Sequence, residues 1–488
     1  MKQPNSNTLR TLSKRVTTRW RHRYLSRWQT SYLPRLAWFN RQLPGFVQDC
    51  AVTGPIIEQF RLLDWERLPL PATRRWFGQP PVPLSAYIGA FLVKLHFGFR
   101  STGHLRQFLV AHPALLWALG FPLVADRHSR YGFNPEESLP TRRHFNRLLS
   151  EIPNPALQAL LDGQVHHLQR LLPGEFGQTI SMDTKAILAW VKENNPKAYI
   201  KEGRFDKSCQ PVGDSDCKLG CKRRHNRRVA TPTKESVPAE GLSIAPGEFY
   251  WGYASGVVAA KVTGWGEFVL AEMTQTFDKG DVHYFFPLME QVERRLGFKP
   301  LYGAFDAAYD AFYVYDYFHS PDHDGFAAVP FSQKGRQNVH RQFNEEGLPL
   351  CSAGLPMPLK FTYNDRTTAI IPYRRAKHVC PLLFPEPNGQ SCPINHKQWP
   401  KGGCASHLAD TPGSRIRHQL DRQSPDYKQV YDQRTAVERV FSQAVNLGIE
   451  RPKLRNQLAI ANQNTLIYLL INLRAIQRVL QKRREANI

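Results

Sequence analysis

Apolar residues recur at helical spacing through residues 84–121, LSAYIGAFLVKLHFGFRSTGHLRQFLVAHPALLWALGF, with breaks at Gly98 and at the turn 101–103. The pattern predicts two helices joined by a short turn, in a region, residues 49–172, that reads as helical throughout. Such a pair permits a DNA-reading helix-turn-helix, or an ordinary helical hairpin. From Phe176 the pattern changes. QTISMDTKAILAW (178–190) predicts a strand with Asp183 near its middle, followed by two β-rich runs, FYWGYASGVVAAKVT (249–263) and EFVLAEMTQ (267–275). Residues 281–296 predict an amphipathic helix, and PLYGAFDAAYDA (300–311) a further strand running into another helix. Strands interleaved with helices predict an α/β fold.

Residues 327–420 read differently. They are rich in Pro and Gly, with short β-prone runs such as LKFTYND (359–365) and TAIIPY (368–373), and no helical period. Helical spacing returns at 427–446 and 458–484. The chain therefore divides into a basic arm (1–48), a helical N-terminal domain with possible DNA binding (49–172), the first part of an α/β core (173–326), a β-rich insertion (327–420) and the core's C-terminal helices (421–488).

Charge points to a partner. The 488 residues hold 65 Lys and Arg against 41 Asp and Glu, a net +24. Residues 1–50 carry +9, residues 199–230 carry +5 and residues 451–488 carry +7, so three blocks hold nearly all the excess. Clustered positive charge, mostly arginine, calls for a polyanion, and nucleic acid fits better than an anionic membrane surface. In KLGCKRRHNRR (218–228), Lys222, Arg223, Arg224, Arg227 and Arg228 are candidate phosphate contacts. The best candidate for a membrane span, residues 466–473, is far short of the roughly 20 apolar residues required. The N-terminus lacks the apolar core of a signal peptide. A soluble cytoplasmic protein is expected.

Three carboxylates stand out. Asp183 lies within a hydrophobic strand, where an unpaired charge is costly. Asp306 ends a strand in FDAAYD, and Glu438 lies within the helical run YDQRTAVERVF. Acids on two strands and a following helix can converge to hold two divalent ions for phosphoryl transfer, though each taken singly is better read as an ordinary salt bridge. On a continuous helix Arg434 and Glu438 fall at about 300° and 340° from Tyr431, which places all three on one face.

These residues resemble the DDE transposases of bacterial insertion sequences, in the group marked by a Tyr-x2-Arg-x3-Glu signature. Residues 431–438 match that signature without a gap, FDAAYD resembles the second-Asp motif, and SMDTK the first-Asp strand. LPTRRHFNRLL (139–149) resembles the helical lead-in domain, so the likeness spans residues 80–475. The resemblance implies a ribonuclease H-like core with a helical N-terminal domain and a β-rich insertion before the last catalytic helix. It implies Asp183, Asp306 and Glu438 as catalytic and metal-binding residues for two Mg2+ or Mn2+ ions. Arg434 is expected on a phosphate and Tyr431 against a sugar or terminal nucleotide. Asp310 is the competing acid in FDAAYD; Asp306 is preferred because it ends the strand and precedes Tyr309 by the family's spacing. The family's lysine seven residues after the Glu is Val445 here, with Arg439 or Lys453 as possible substitutes.

The implied function is a transposase that binds terminal inverted repeats as a homo-oligomer on double-stranded DNA, in the cytoplasm at the bacterial nucleoid. Cleavage would be metal-dependent and followed by strand transfer. A nuclease of the same fold without strand transfer, and a non-catalytic DNA-binding repressor, are the alternatives. Separately, Cys351, Cys380, Cys392 and Cys404 in the insertion could form a structural zinc site, with His378, His396 and His407 nearby in sequence. Cys209, Cys217, Cys221 and His225 form a second possible set; free thiols are the simpler expectation for both.

Overall fold

The computed structural model describes residues 44–68, 82–195, 203–223, 247–319, 325–332, 341–366 and 370–486. Most of the basic arm, with Arg224, His225, Arg227 and Arg228, lies outside the described residues. The first half holds helices α1 (Thr53–Phe60), α2 (Leu84–His96), α3 (Thr102–Ala111), α4 (Pro113–Leu119), α5 (Arg142–Leu149) and α6 (Asn154–Leu171). Next come β1 (Thr179–Leu188), β2 (Lys218–Arg223), β3 (Gly247–Val262), β4 (Gly266–Thr276), α7 (Phe285–Leu296), β5 (Tyr302–Ala304), α8 (Phe312–Phe318) and β6 (Phe326–Ala328). A separate three-stranded sheet follows: β7 (Leu359–Asn364), β8 (Arg374–Val379) and β9 (Ala405–Ala409). Helices α9 (Gly413–Gln419), α10 (Pro425–Asp432), α11 (Thr435–Asn446) and α12 (Gln457–Glu485) close the chain.

Local chemistry sets the helix starts. Ser101 and Thr141 each accept a hydrogen bond from the amide three residues on, His104 and His144, and so cap α3 and α5. Pro113 occupies the first turn of α4, where its missing N–H costs nothing, and Gly120, at φ +101°, ends that helix. Helix α2 is buried along nearly its whole length and packs on α12, so the first helix of the helical hairpin is a core element.

The main sheet is mixed. β3 pairs antiparallel with β1 on one edge and with β4 on the other, whereas β5 pairs parallel with β1, and β6 parallel with β5. The order β4-β3-β1-β5-β6 puts the acid-bearing β1 in the middle. β2 pairs with the N-terminal end of β3 beyond β4, where Gly220 lies against Phe277 with no room for a Cβ. The β3–β4 register slips after Val258 and passes over Leu270. There Asn472 of α12 accepts from Val269 N–H at 2.9 Å and donates to Val269 C=O at 2.8 Å. One side chain thus satisfies the backbone beside the bulge and fixes helix to sheet.

Helix α12 is buried on all sides over residues 462–473, its asparagines and Thr465 included, and packs against β4, α6 and α2. One hydrophobic cluster joins N-terminal helix residues such as Phe60, Leu92 and Leu116 to Trp251, Val437 and Leu466–Leu473. A second lies on the other face of the sheet, under α7, with Phe176, Phe268, Phe285 and Val314.

Several sequence expectations need adjusting. Residues 300–311 give only a three-residue strand and a single 3-10 turn, Ala307–Tyr309, before α8. The run 368–373 is not a strand where described; the strand is the next segment, RRAKHV, whose charges hid it. Tyr431, Arg434 and Glu438 do not share one continuous helix, because α10 ends at Asp432 and α11 begins at Thr435.

Candidate active site

β1 carries Asp183 opposite Val257 of β3. On its other edge, Ser181 lies abreast of Ala304 in the parallel pairing with β5. Asp183 lies two residues beyond that pair on β1 and Asp306 two residues beyond the end of β5, near enough for the Asp306 charge to act on the Asp183 carboxyl. Asp306 then caps the turn Ala307–Tyr309 by accepting from the Ala308 amide at 2.8 Å. Asp183 accepts from the Thr184 amide at 2.7 Å.

Two acids side by side cannot both ionise cheaply. Burial pushes the Asp183 carboxyl up to about 7, and repulsion from Asp306 and Asp281 adds to the rise; the Thr184 amide and Arg434 oppose it. Asp281 carried no signal in the sequence. It opens the 3-10 turn Asp281–Tyr284 and reaches the site only through the fold, where Thr184 Oγ1 donates to it at 2.6 Å. Tyr309 is 0% exposed and its hydroxyl has no hydrogen-bond partner. Burial first, then the fields of Asp281, Asp183 and Asp306, hold that phenol protonated. A donor without an acceptor therefore sits beside three carboxylates.

Glu438 lies in the first turn of α11, where it accepts from Arg434 Nη2 at 2.6 Å. The Arg434 guanidinium stands 5.9 Å from the Tyr431 ring centroid, and Tyr431 stacks on Tyr427 at 5.8 Å. Burial disfavours the Arg434 charge, but Glu438, Tyr431 and Asp183 outweigh it and raise its pKa. The break between α10 and α11 thus leaves the signature residues together, with the Asp183 charge also acting on Arg434. Family models and curated proteins were both searched, and neither gives a match. The site is read from its geometry.

Asp310 has another occupation. Its side chain is 1% exposed and takes a two-pronged ion pair from Arg417, at 2.7 and 2.6 Å. Ser332 N–H at 2.7 Å and Tyr315 OH at 2.8 Å complete its shell. Burial works against its charge, but these donors hold it below the ordinary carboxylate value. With every lone-pair direction used, Asp310 is structural, whereas Asp306 faces Asp183.

The remaining candidates are dispersed. Lys222 lies opposite Glu248, nine positions along β3 from Val257, roughly 30 Å from Asp183; Arg223 is one position further. Arg439 pairs with Glu267 at 2.5 Å, Lys453 lies over the Trp190 ring at 5.5 Å, and Val445 falls near the end of α11. All described cysteines are free; Cys209 and Cys221 are exposed while Cys217 is buried. No group of three or more His, Cys, Asp or Glu among the described residues is arranged to hold a metal ion as it stands. Asp183 and Asp306 repel one another, and the third acid, Glu438, is held by Arg434.

The Asp183 shift has a consequence for stability without metal. Its carboxyl has an ordinary value of 3.8 and rises to about 7 on folding. The folded state therefore retains the proton longer, and stability falls as pH rises from about 4 to about 7. Asp183→Asn abolishes that cost. In chelator, urea denaturation should show the variant more stable than the parent at pH 8 by a few kcal/mol, at ~1.4 kcal/mol per pKa unit, and equal to it near pH 4. Equal stability at pH 8 would mean that the carboxylate is not desolvated.

Proposed function

We propose that the chain is a DDE transposase of the insertion-sequence type, which cleaves DNA at terminal inverted repeats and transfers the freed strand to target DNA. The observation that carries this reading is the proximity of Asp183 on β1 and Asp306 just beyond the parallel strand β5, with Arg434, ion-paired to Glu438, near enough to act on the Asp183 charge. The mixed sheet centred on β1 supports a ribonuclease H-like core, and the insertion before α11 fits the same pattern. Charge supports a polyanionic substrate.

Asp183 and Asp306, with Glu438, would hold Mg2+ or Mn2+ ions, which when bound activate the attacking oxygen and stabilise the leaving one. The chain's own groups prepare that state. Thr184 fixes one oxygen of Asp183 through its amide, and its hydroxyl ties β1 to Asp281. Arg434 is positioned for a phosphate oxygen, and contact with phosphate would free Glu438 from their ion pair. Tyr309, buried beside the carboxylates and held protonated, would offer its unpartnered hydroxyl as a donor without competing as an acid.

The test is a reaction of purified protein with DNA carrying the element's ends, in Mg2+ or Mn2+. Products with a 3′ end joined to target DNA are expected. Cleavage without joining would favour the nuclease, and binding without cleavage the repressor. Deleting residues 1–50 should also flatten the salt dependence of binding by roughly 0.9 in log–log slope per lost phosphate contact. An unchanged slope would remove the arm from the DNA.

A further inference from the structure

The three-stranded sheet of the insertion has almost no core of its own. Among described residues 341–409 the buried apolar side chains are Pro349, Met357, Ala376, Cys380 and Leu382, and none belongs to the molecule's hydrophobic clusters. β7 is mostly exposed, with Leu359 and Phe361 each 45% accessible. A sheet this small and open needs a staple.

Thiols stand where one would be placed. Val379, the last residue of β8, pairs with Ala405, the first of β9, so Cys380 and Cys404 lie at the base of the long connection between those strands. Gly403, at φ +84°, approaches so closely that a Cβ there would lie 3.4 Å from Cys380 Sγ. Cys351 comes from a third segment, a tight turn closed by Gly354 N–H on Cys351 C=O at 2.9 Å. That turn leads to Pro358, whose carbonyl accepts from Val379 N–H at 3.1 Å. The Cys404 and Cys380 side chains lie within hydrogen-bonding reach of one another, and Cys351 is close enough to Cys404 for its charge to be felt there. Cys392, midway along the β8–β9 connection, accepts from His396 N–H at 3.5 Å in a turn that places Asn395 at φ +45°. An amide donating to sulfur stabilises a thiolate, as in the outer shell of metal sites.

We propose that Cys351, Cys380 and Cys404 bind a structural zinc ion that clamps the two ends of the β8–β9 connection to the turn before β7, with Cys392, carried on that connection, supplying the fourth thiolate when the ion is bound. This proposal is independent of the DNA chemistry. Thiolate donors select zinc over Mg2+ or Mn2+. Loading exchanges the S–H protons for the ion and draws the sulfurs to about 2.3 Å from it.

The full chain, expressed with zinc supplied and dialysed, should retain about one equivalent of zinc, and Co2+ in its place should give a tetrahedral thiolate spectrum. Alkylation mapped by mass spectrometry covers the case in which serine variants fail to fold. Zinc should protect Cys351, Cys380, Cys392 and Cys404 at least about tenfold relative to chelator, while exposed Cys209 reacts equally in both. Absence of bound zinc, or equal alkylation of Cys380 and Cys404 with and without it, would overturn the site. Equal alkylation of Cys392 would overturn the four-thiolate set.

Discussion

Asp183→Ala should abolish metal-dependent cleavage of end-containing DNA while leaving affinity for that DNA within about threefold of the parent. Asp183 is the residue on which the candidate site turns: Asp306, Asp281 and Arg434 all act on its carboxyl. Removing one group aimed at developing charge costs on the order of 10²–10³ in rate, and loss of a metal-holding carboxylate should cost at least that. Affinity is expected to rest on the basic blocks 1–50, 199–230 and 451–488, and removing a negative charge near phosphate does not weaken binding. Cleavage and binding are measured on the same labelled DNA, by gel and by fluorescence anisotropy. Cleavage that survives would remove Asp183 from the mechanism. Equal loss of both would assign it to folding.

Asp310→Asn should lower stability by about 3–5 kcal/mol, the usual consequence of leaving one partner of a buried ion pair unmatched. Asp306→Asn should cost little stability and remove cleavage. The difference follows from the shells. Asp310 accepts from Arg417, Ser332 and Tyr315, and Arg417 also packs over the Phe331 ring at 4.4 Å. The substitution strands the Arg417 guanidinium, whose neighbour Arg422 also lies over the Phe331 ring, at 5.2 Å. Denaturant midpoints and cleavage rates for the two variants separate the roles. A stable, inactive Asp310→Asn beside an active Asp306→Asn would exchange the two assignments.

These two acids show what a motif conveys. FDAAYD offers both, four residues apart, and spacing favoured Asp306 without saying what Asp310 does. The answer lies in Arg417, more than a hundred residues downstream, which no local pattern connects to the motif. Likewise Tyr431, Arg434 and Glu438 remain together although the helix expected to align them is broken, because the arginine bridges the break to its neighbours on both sides.

The sequence by itself determined the elements whose side-chain period is strong: β1, β3, β4, the helix ending at Leu296, and α12, all close to their expected bounds. It also singled out Asp183, since a carboxylate inside an apolar strand is conspicuous wherever the chain folds. Periodicity is local, so it fixes local conformation. Only the tertiary structure decided that β5 runs parallel beside β1 and brings Asp306, just beyond it, close to Asp183. It alone brought in Asp281 through Thr184 and left the Tyr309 hydroxyl without an acceptor. It hid β8 from view in the sequence, because a strand in a sheet with scarcely any core bears no apolar stripe, and it gathered Cys351, Cys380 and Cys404 at that sheet's end. Pairing register, burial and charge neighbours depend on residues far apart in the chain, and those contacts are made when the chain packs.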